Sequence, residues 1–208
     1  MTGIDFGDLK RFRPFCSKRG TTRGGSITRY YIDLFVSGEL KATSGRYVEC
    51  GDTRYRAFVE PSQIATYDCL DIDADVPGLT IQADLHDLRH ITDGSYDVVI
   101  CTQVLQYLSN AGRAVSELHR VLAPGGKLIV TVPFIERDFR RLGDKSRFTV
   151  ESLRLLLGGF TSVSVGTGGN LLSCICSLLG LGLDDLTEQE LLAGDNDYYQ
   201  VTLGSAIK

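Results

Sequence analysis

The 208-residue sequence lacks an apolar run long enough to cross a bilayer. Its longest apolar stretch, Leu171–Leu183, is broken by Ser173, Ser177 and Gly180 and reads as a buried helical segment. The opening residues MTGIDFGDLKRFRPF hold two Asp and no apolar core, so they do not read as a secretory leader, and a cytoplasmic protein is expected. None of the six cysteines forms a Cys-x-x-Cys pair, and the three histidines stand at no metal-ligand spacing. A zinc site or a disulfide framework is therefore not expected, and Cys50, Cys69 and Cys101 read as reduced, buried thiols within strands. A net charge of −4 argues against broad nucleic-acid binding. Internal repeats and low-complexity segments are also missing.

What is there is the balance of one folded domain, 43% hydrophobic and 23% charged. The charge is uneven. Residues 1–30 hold seven Lys or Arg against two Asp, which leaves the remainder at −9. Residues 1–24 read as an irregular basic arm, able to attract an anionic substrate or simply to be solvated.

Ser26 is a good helix cap. Ile27, Tyr30, Tyr31, Leu34 and Phe35 follow at helical spacing and predict one apolar face. Residues 46–50, 65–72, 79–83, 96–102 and 127–133 read as strands, several apolar throughout, as in a sheet covered on both sides. Between them, Ala111, Ala114, Val115, Leu118 and Leu122 form a helical stripe capped by Ser109 or Asn110 and stopped by Pro124-Gly125-Gly126. Thr149 caps a further helix through Leu153, Leu156 and Leu157. Residues 161–168 and 198–207 read as two late strands forming an antiparallel edge hairpin, with a helical insertion at 170–194 whose second helix opens on the capping box Thr187–Glu190. Alternating strands and helices give an α/β, doubly wound, mostly parallel sheet.

In such a sheet, ligands sit outside the carboxyl ends of the strands. Four successive ends carry polar residues here: Glu49-Cys50-Gly51-Asp52, Asp71-Ile72-Asp73, Asp84-Leu85-His86-Asp87 and Thr102-Gln103.

The segments YVECGD, YDCLDID, ADLHDL, YDVVICTQVLQYL, ELHRVLAPGGKLIVTVPF and RFTVESLRLLL occur in the order found in the class I S-adenosylmethionine-dependent methyltransferases, and residues 25–208 resemble that family. The resemblance implies a seven-stranded, Rossmann-like sheet and S-adenosyl-L-methionine as cofactor. It implies that Glu49, Gly51 and Asp52 form a cofactor-binding loop in which Gly51 lets the backbone approach the cofactor and Glu49 orients the turn, and that Asp71 accepts from the ribose hydroxyls. Asp84 and the Leu85 amide would meet the adenine edge, Ile72 its face, and Thr102 and Gln103 the methionine part. One departure stands out. The family's loop reads Gly-x-Gly-x-Gly, whereas Gly51-Asp52-Thr53-Arg54-Tyr55 keeps only the first glycine, so its bulky residues must fold the loop differently or fill part of the pocket.

The expected activity is methyl transfer to a small molecule, a sugar or secondary metabolite, at oxygen. His86, Tyr107 and Asp144 are the candidate bases; Tyr107 stands where the family often has His. Tyr30, Tyr31 and Arg147 are candidates for holding the acceptor, with Arg147 equally able to brace its loop. No metal, membrane or nucleic-acid partner is expected, and a homodimer is allowed for. Two alternatives remain open: a non-catalytic module of the same fold that binds a biosynthetic partner, and a cofactor-dependent enzyme that does not methylate, such as a cyclase.

Overall fold

The structure, a computed structural model, describes residues 7–194 and 197–208. Residues 1–6 of the expected arm, and 195–196 of the segment before the last strand, lie outside the described residues.

Seven strands form one sheet: β1 (Gly45–Cys50), β2 (Ile64–Asp71), β3 (Ile81–Gln82), β4 (Tyr96–Thr102), β5 (Leu122–Pro133), β6 (Ser162–Gly168) and β7 (Val201–Ile207). Their order is β3-β2-β1-β4-β5-β7-β6. The first five run parallel, and β7 lies antiparallel between β5 and β6. This is the expected doubly wound sheet with its antiparallel edge pair.

Side chains alternate across the sheet, so each central strand feeds two cores. Val48, Cys50, Val99, Cys101, Leu128 and Val130 face α2 (Ala111–Val121) and α3 (Val150–Leu156). Tyr47, Val98, Ile100 and Ile129 face α1 (Ile27–Leu40) and the segment carrying α4 (Leu171–Leu178) and α5 (Glu188–Leu192). Among the described residues, no helix is long and apolar enough to cross a membrane.

Local chemistry sets the helix ends. Ser26 accepts the Arg29 amide, Asn110 rather than Ser109 accepts that of Arg113, and Thr149 accepts that of Ser152. The Thr187–Glu190 capping box opens α5.

Three sequence expectations shift. The buried face of α1 is Ile27, Thr28, Tyr31, Ile32, Val36 and Leu40, while Leu34 is 53% exposed. Tyr30 packs on the edge of the core beneath α1 and, with Leu34, borders a surface groove. The helix before β5 stops at Val121, ahead of Pro124-Gly125-Gly126, because Leu122 already pairs with Tyr96. Those three residues bulge out of β5, and pairing resumes at Lys127 with Val98. Gly125 takes φ +77°, which a glycine adopts without steric cost. The third strand is two residues, not five.

The basic arm is docked from Phe15 onward. The Phe15 amide donates to the Leu179 carbonyl, and Arg23 forms a two-pronged ion pair with Asp185. The insertion between β6 and β7 thus serves as a dock for the arm and lays residues 19–26 beside the strand ends.

Candidate functional site

Right-handed crossovers bring the carboxyl ends of β1, β2, β3 and β4 to one rim. A cleft of about 80 Å³, open to solvent, lies there. Gly51, Asp71, Ile72, Asp84 and Leu85 line it, with Cys50, Leu70, Ala83, Val104 and Leu108 as its apolar floor and far wall.

Gly51 has φ +97°, and a Cβ added there would stand 3.8 Å from both Asp71 Oδ2 and Val104 Cγ2, filling the cleft's mouth. Asp71 Oδ1 accepts the Asp73 amide at 2.8 Å. Asp84 Oδ1 accepts from the His86 amide at 2.9 Å and from the His86 ring at 2.6 Å. The His86 amide holds the Asp84 carboxyl below the usual carboxylate range. Among the described residues, the Oδ2 atoms of both aspartates take no hydrogen bond, so each keeps a fixed acceptor for a ligand. Ile72 is 66% exposed at the cleft edge, an apolar surface without a protein partner.

The loop after Gly51 turns away from this cleft. Tyr55 is fully buried on the α1 side, donates to Asp33 at 2.8 Å and accepts from Arg29 at 3.1 Å. Arg54 grips the same Asp33. The bulky residues that replace glycines therefore tie the loop to α1 and leave the cleft open. Glu49 fixes the turn from below: its carboxyl accepts the Tyr55 amide at 3.1 Å and the Tyr67 hydroxyl at 2.5 Å. Burial, reinforced by Asp52, pushes Glu49 up to about 8, so it is protonated at neutral pH. Glu49 is 0% exposed and Asp52 accepts the Arg54 amide, so both act on the loop and neither lines the cleft.

A second cleft lies across the loop. Gln103, at the end of β4, belongs to it, together with Arg54, Glu136 and the segment bearing Arg19, Ser26, Thr28 and Arg29. Thr102 lines neither cleft.

The remaining candidates fall elsewhere. His86 has both ring nitrogens engaged, Nδ1 with Asp84 and Nε2 accepting the Asn110 amide at 3.2 Å, so it braces the start of α2. Tyr107 lines neither cleft, and burial pushes its phenol up, against a role as base at neutral pH. Tyr31 is buried with its hydroxyl donating to the Leu191 carbonyl, which removes it as a lid; Tyr30 edges the neighbouring groove. Arg147 takes the bracing role, clasping Asp144 at 2.6 and 2.7 Å. Burial alone would raise the Asp144 carboxyl, but Arg147 and the Phe139 amide hold it below the usual range, which leaves it a poor base.

Sequence reasoning passed over Glu136, Arg19 and Arg29. Glu136 follows β5 by three residues, so the strand-end rule applied to β1 to β4 reaches it when extended to one more strand. Nothing local in the sequence marks the arginines: docking of the arm brings Arg19 there, and the packing of α1 places Arg29.

Comparison with known proteins agrees with this geometry. A methyltransferase domain family model matches residues 50–130. A 42-residue stretch is 48% identical to human thiol S-methyltransferase TMT1B, covering 20% of this chain and 17% of that protein. An S-adenosylmethionine-dependent methyltransferase from Mesorhizobium loti superposes with a TM-score of 0.59 at 17% identity, over 88% of this chain and 99% of its own. One from Thermotoga maritima gives 0.59 at 19% identity, over 88% and 91%. Haemonchus contortus phosphoethanolamine N-methyltransferase 2, solved with S-adenosyl-L-methionine, gives 0.61 at 13% identity, over 89% and 53%. The chain thus has the fold of the S-adenosylmethionine-dependent methyltransferases, and its residues 50–130 match the methyltransferase domain model.

Proposed function

We propose that the first cleft binds S-adenosylmethionine and that the chain transfers its methyl group, at oxygen, to a small hydroxylated molecule held in the second cleft. The observation that carries this reading is the convergence of Gly51, Asp71 and Asp84-Leu85, from three strand ends, on one cleft. Their chemistry fits the cofactor. Asp71 Oδ2 is a fixed acceptor for ribose hydroxyls, Asp84 Oδ2 one for the adenine amino group, and Ile72 offers an apolar face for the ring. Gly51 leaves the room that a side chain would occupy.

S-adenosylmethionine supplies a methyl group already activated on a sulfonium, so the protein chiefly aligns a nucleophile at about 3 Å and excludes water. Gln103 lines the second cleft with φ +57°, its amide held on the Thr131 carbonyl at 2.8 Å and its carbonyl on the Gln106 side chain at 2.8 Å. A non-glycine residue fixed in this conformation is a mark of functional sites. Glu136 is the carboxylate of the second cleft. It serves as general base: the acceptor O–H gives its proton to Glu136 as the oxygen–methyl bond forms and the methyl–sulfur bond breaks. Glu136 Oε2 lies 3.3 Å from the Thr28 hydroxyl and Oε1 accepts the Arg137 amide, so the carboxylate is already oriented.

Isothermal titration with S-adenosylmethionine and S-adenosylhomocysteine tests the first half. Micromolar binding is expected, and no heat from either at millimolar ligand overturns it. Transfer of labelled methyl to a panel of hydroxylated small molecules tests the second. Glu136→Gln is expected to lower kcat at least about 100-fold with unchanged S-adenosylhomocysteine affinity.

A further inference from the structure

The second cleft is basic in a chain of net charge −4. Arg19, Arg29 and Arg54 line it against one carboxylate, Glu136. The three arginines come from the docked arm, from α1 and from the loop after β1. Only Arg54 is neutralised, by Asp33. Arg29 reaches the Tyr55 hydroxyl, and Arg19 lies over the Phe139 ring with its guanidinium 4.8 Å from the centroid. Neither makes an ion pair among the described residues. Thr21 and Ser26 add hydroxyls to the same volume, and the amino end of the 14-residue α1 adds its positive dipole.

Backbone conformation points to the same place. Among the described residues, two non-glycine residues have φ in the left-handed region, Arg19 at 58° and Gln103 at 57°, and both line this cleft. An unfavourable conformation is retained at Arg19 where it brings a guanidinium to the cleft wall.

Resting on the methyl-transfer reading above, we infer that the acceptor carries a phosphoryl group, held by Arg19 and Arg29 with hydroxyl donors from Thr21 and Ser26. A carboxylate is planar and is satisfied by one guanidinium fork. Here two unneutralised guanidiniums from separate segments, the two hydroxyls and a helix amino end surround one volume. That arrangement suits a dianion with three acceptor oxygens spread in space. The acceptor is therefore bipolar in its demands: its phosphoryl group lies toward the arginines, and its reacting hydroxyl lies toward Glu136.

Titration of inorganic phosphate, with acetate in parallel, into protein saturated with S-adenosylhomocysteine tests this. Saturable phosphate binding is expected, tighter than acetate. The variant Arg19→Gln, which touches no part of the loop, is expected to weaken it at least about fivefold while leaving S-adenosylhomocysteine affinity within about twofold, which also reports that the variant is folded. Asp71→Ala is expected to do the reverse. The inference is overturned if phosphate gives no saturable heat up to about 20 mM, if Arg19→Gln binds phosphate as tightly as the parent, or if acetate binds as well as phosphate. Arginine-dependent phosphate binding by a protein that binds no S-adenosylhomocysteine would remove the methyl-acceptor assignment, and would do so through failure of the cofactor reading, not of the anion site.

Discussion

The two clefts that flank the loop 51–55 differ in charge and in how their groups are held. On one side Asp71 and Asp84 each have one carboxylate oxygen fixed by an amide two residues away and the other left for a ligand. On the other, Arg29 stands in the first turn of α1, and Arg19 is carried in by a segment that packs on the insertion between β6 and β7. The first cleft is a local property of strand ends and tight turns. The second is a product of long-range docking. On the proposed reading, a methyl donor common to a fold family and an acceptor particular to one protein would call for this division: a site built by the sheet for the shared ligand, and one built by its additions for the individual ligand.

The loop is the shared wall, and Glu49 is its anchor, so the largest expected effect lies there. Folding raises Glu49 from an ordinary 4.5 to about 8, chiefly through burial. A group whose folded value is raised contributes stability that is fully present below its unfolded value and is lost as pH rises through the folded one. The window is therefore pH 4.5 to about 8. Glu49→Gln keeps the shape and removes the titration. Its stability relative to the parent, from urea unfolding, is expected to be near zero at pH 4 and to rise to on the order of 4 kcal/mol by pH 9. Affinity for S-adenosylhomocysteine and for phosphate should fall together above pH 8 in the parent and hold in the variant. A fall in one alone would show that the loop walls one cleft only.

Breaking the acidic cleft by itself is expected to have the next largest effect. Asp71→Asn replaces a charged acceptor with an amide and should weaken S-adenosylhomocysteine by about 2–3 kcal/mol, some 30- to 100-fold, with phosphate binding within about twofold. Calorimetry on the same samples reads both. Gly51→Ala should act more mildly. The added methyl meets only ordinary contacts at 3.8 Å in the protein itself, so the stability cost is the strain of a φ of +97°, about 1 kcal/mol, with a further loss of S-adenosylhomocysteine affinity of about tenfold. Weaker phosphate binding in either variant would join the two clefts into one.

The same division explains what could be read in the sequence. All seven strands and the five helices were legible as periodic runs and caps, because those signals are local: Ser26, Thr149 and Thr187 mark helix starts by chemistry within three residues. Gly51, Asp71, Ile72, Asp84 and Leu85 were singled out as strand-end residues, and they share one cleft for the same reason. The direction of Tyr55 was not legible, since a tyrosine in a loop can turn into a pocket or away from it, and only its partners Asp33 and Arg29 decide. His86 and Tyr107 drew attention by residue type, yet their surroundings, the Asp84–Asn110 clamp and a buried phenol, depend on packing between elements. Arg19 read as part of a charged arm because the surface that receives that arm, around Leu179 and Asp185, lies some 160 residues later, with Arg23 and Asp185 162 residues apart.

The smallest expected effect tests that docking directly. Arg23 clasps Asp185, which also accepts the Gly182 amide at 2.9 Å, and Arg23 holds the Asp185 carboxyl at about 2. A depressed value contributes stability that is present above the unfolded 3.8 and is lost as pH falls through 2. The Arg23 side chain is 41% exposed, so solvent screening limits the contribution to under about 1 kcal/mol. Asp185→Asn should therefore lower Tm by only a few degrees at neutral pH, and by less in about 0.5 M salt, where the ion pair is screened. Its informative effect is on the clefts. A loosened arm presents Arg19 less often, so phosphate affinity should fall two- to threefold, about 0.5 kcal/mol, while S-adenosylhomocysteine affinity stays the same. Equal loss at both clefts would mean that the arm steadies the whole rim, and the basic cleft could then no longer be regarded as a separately built site.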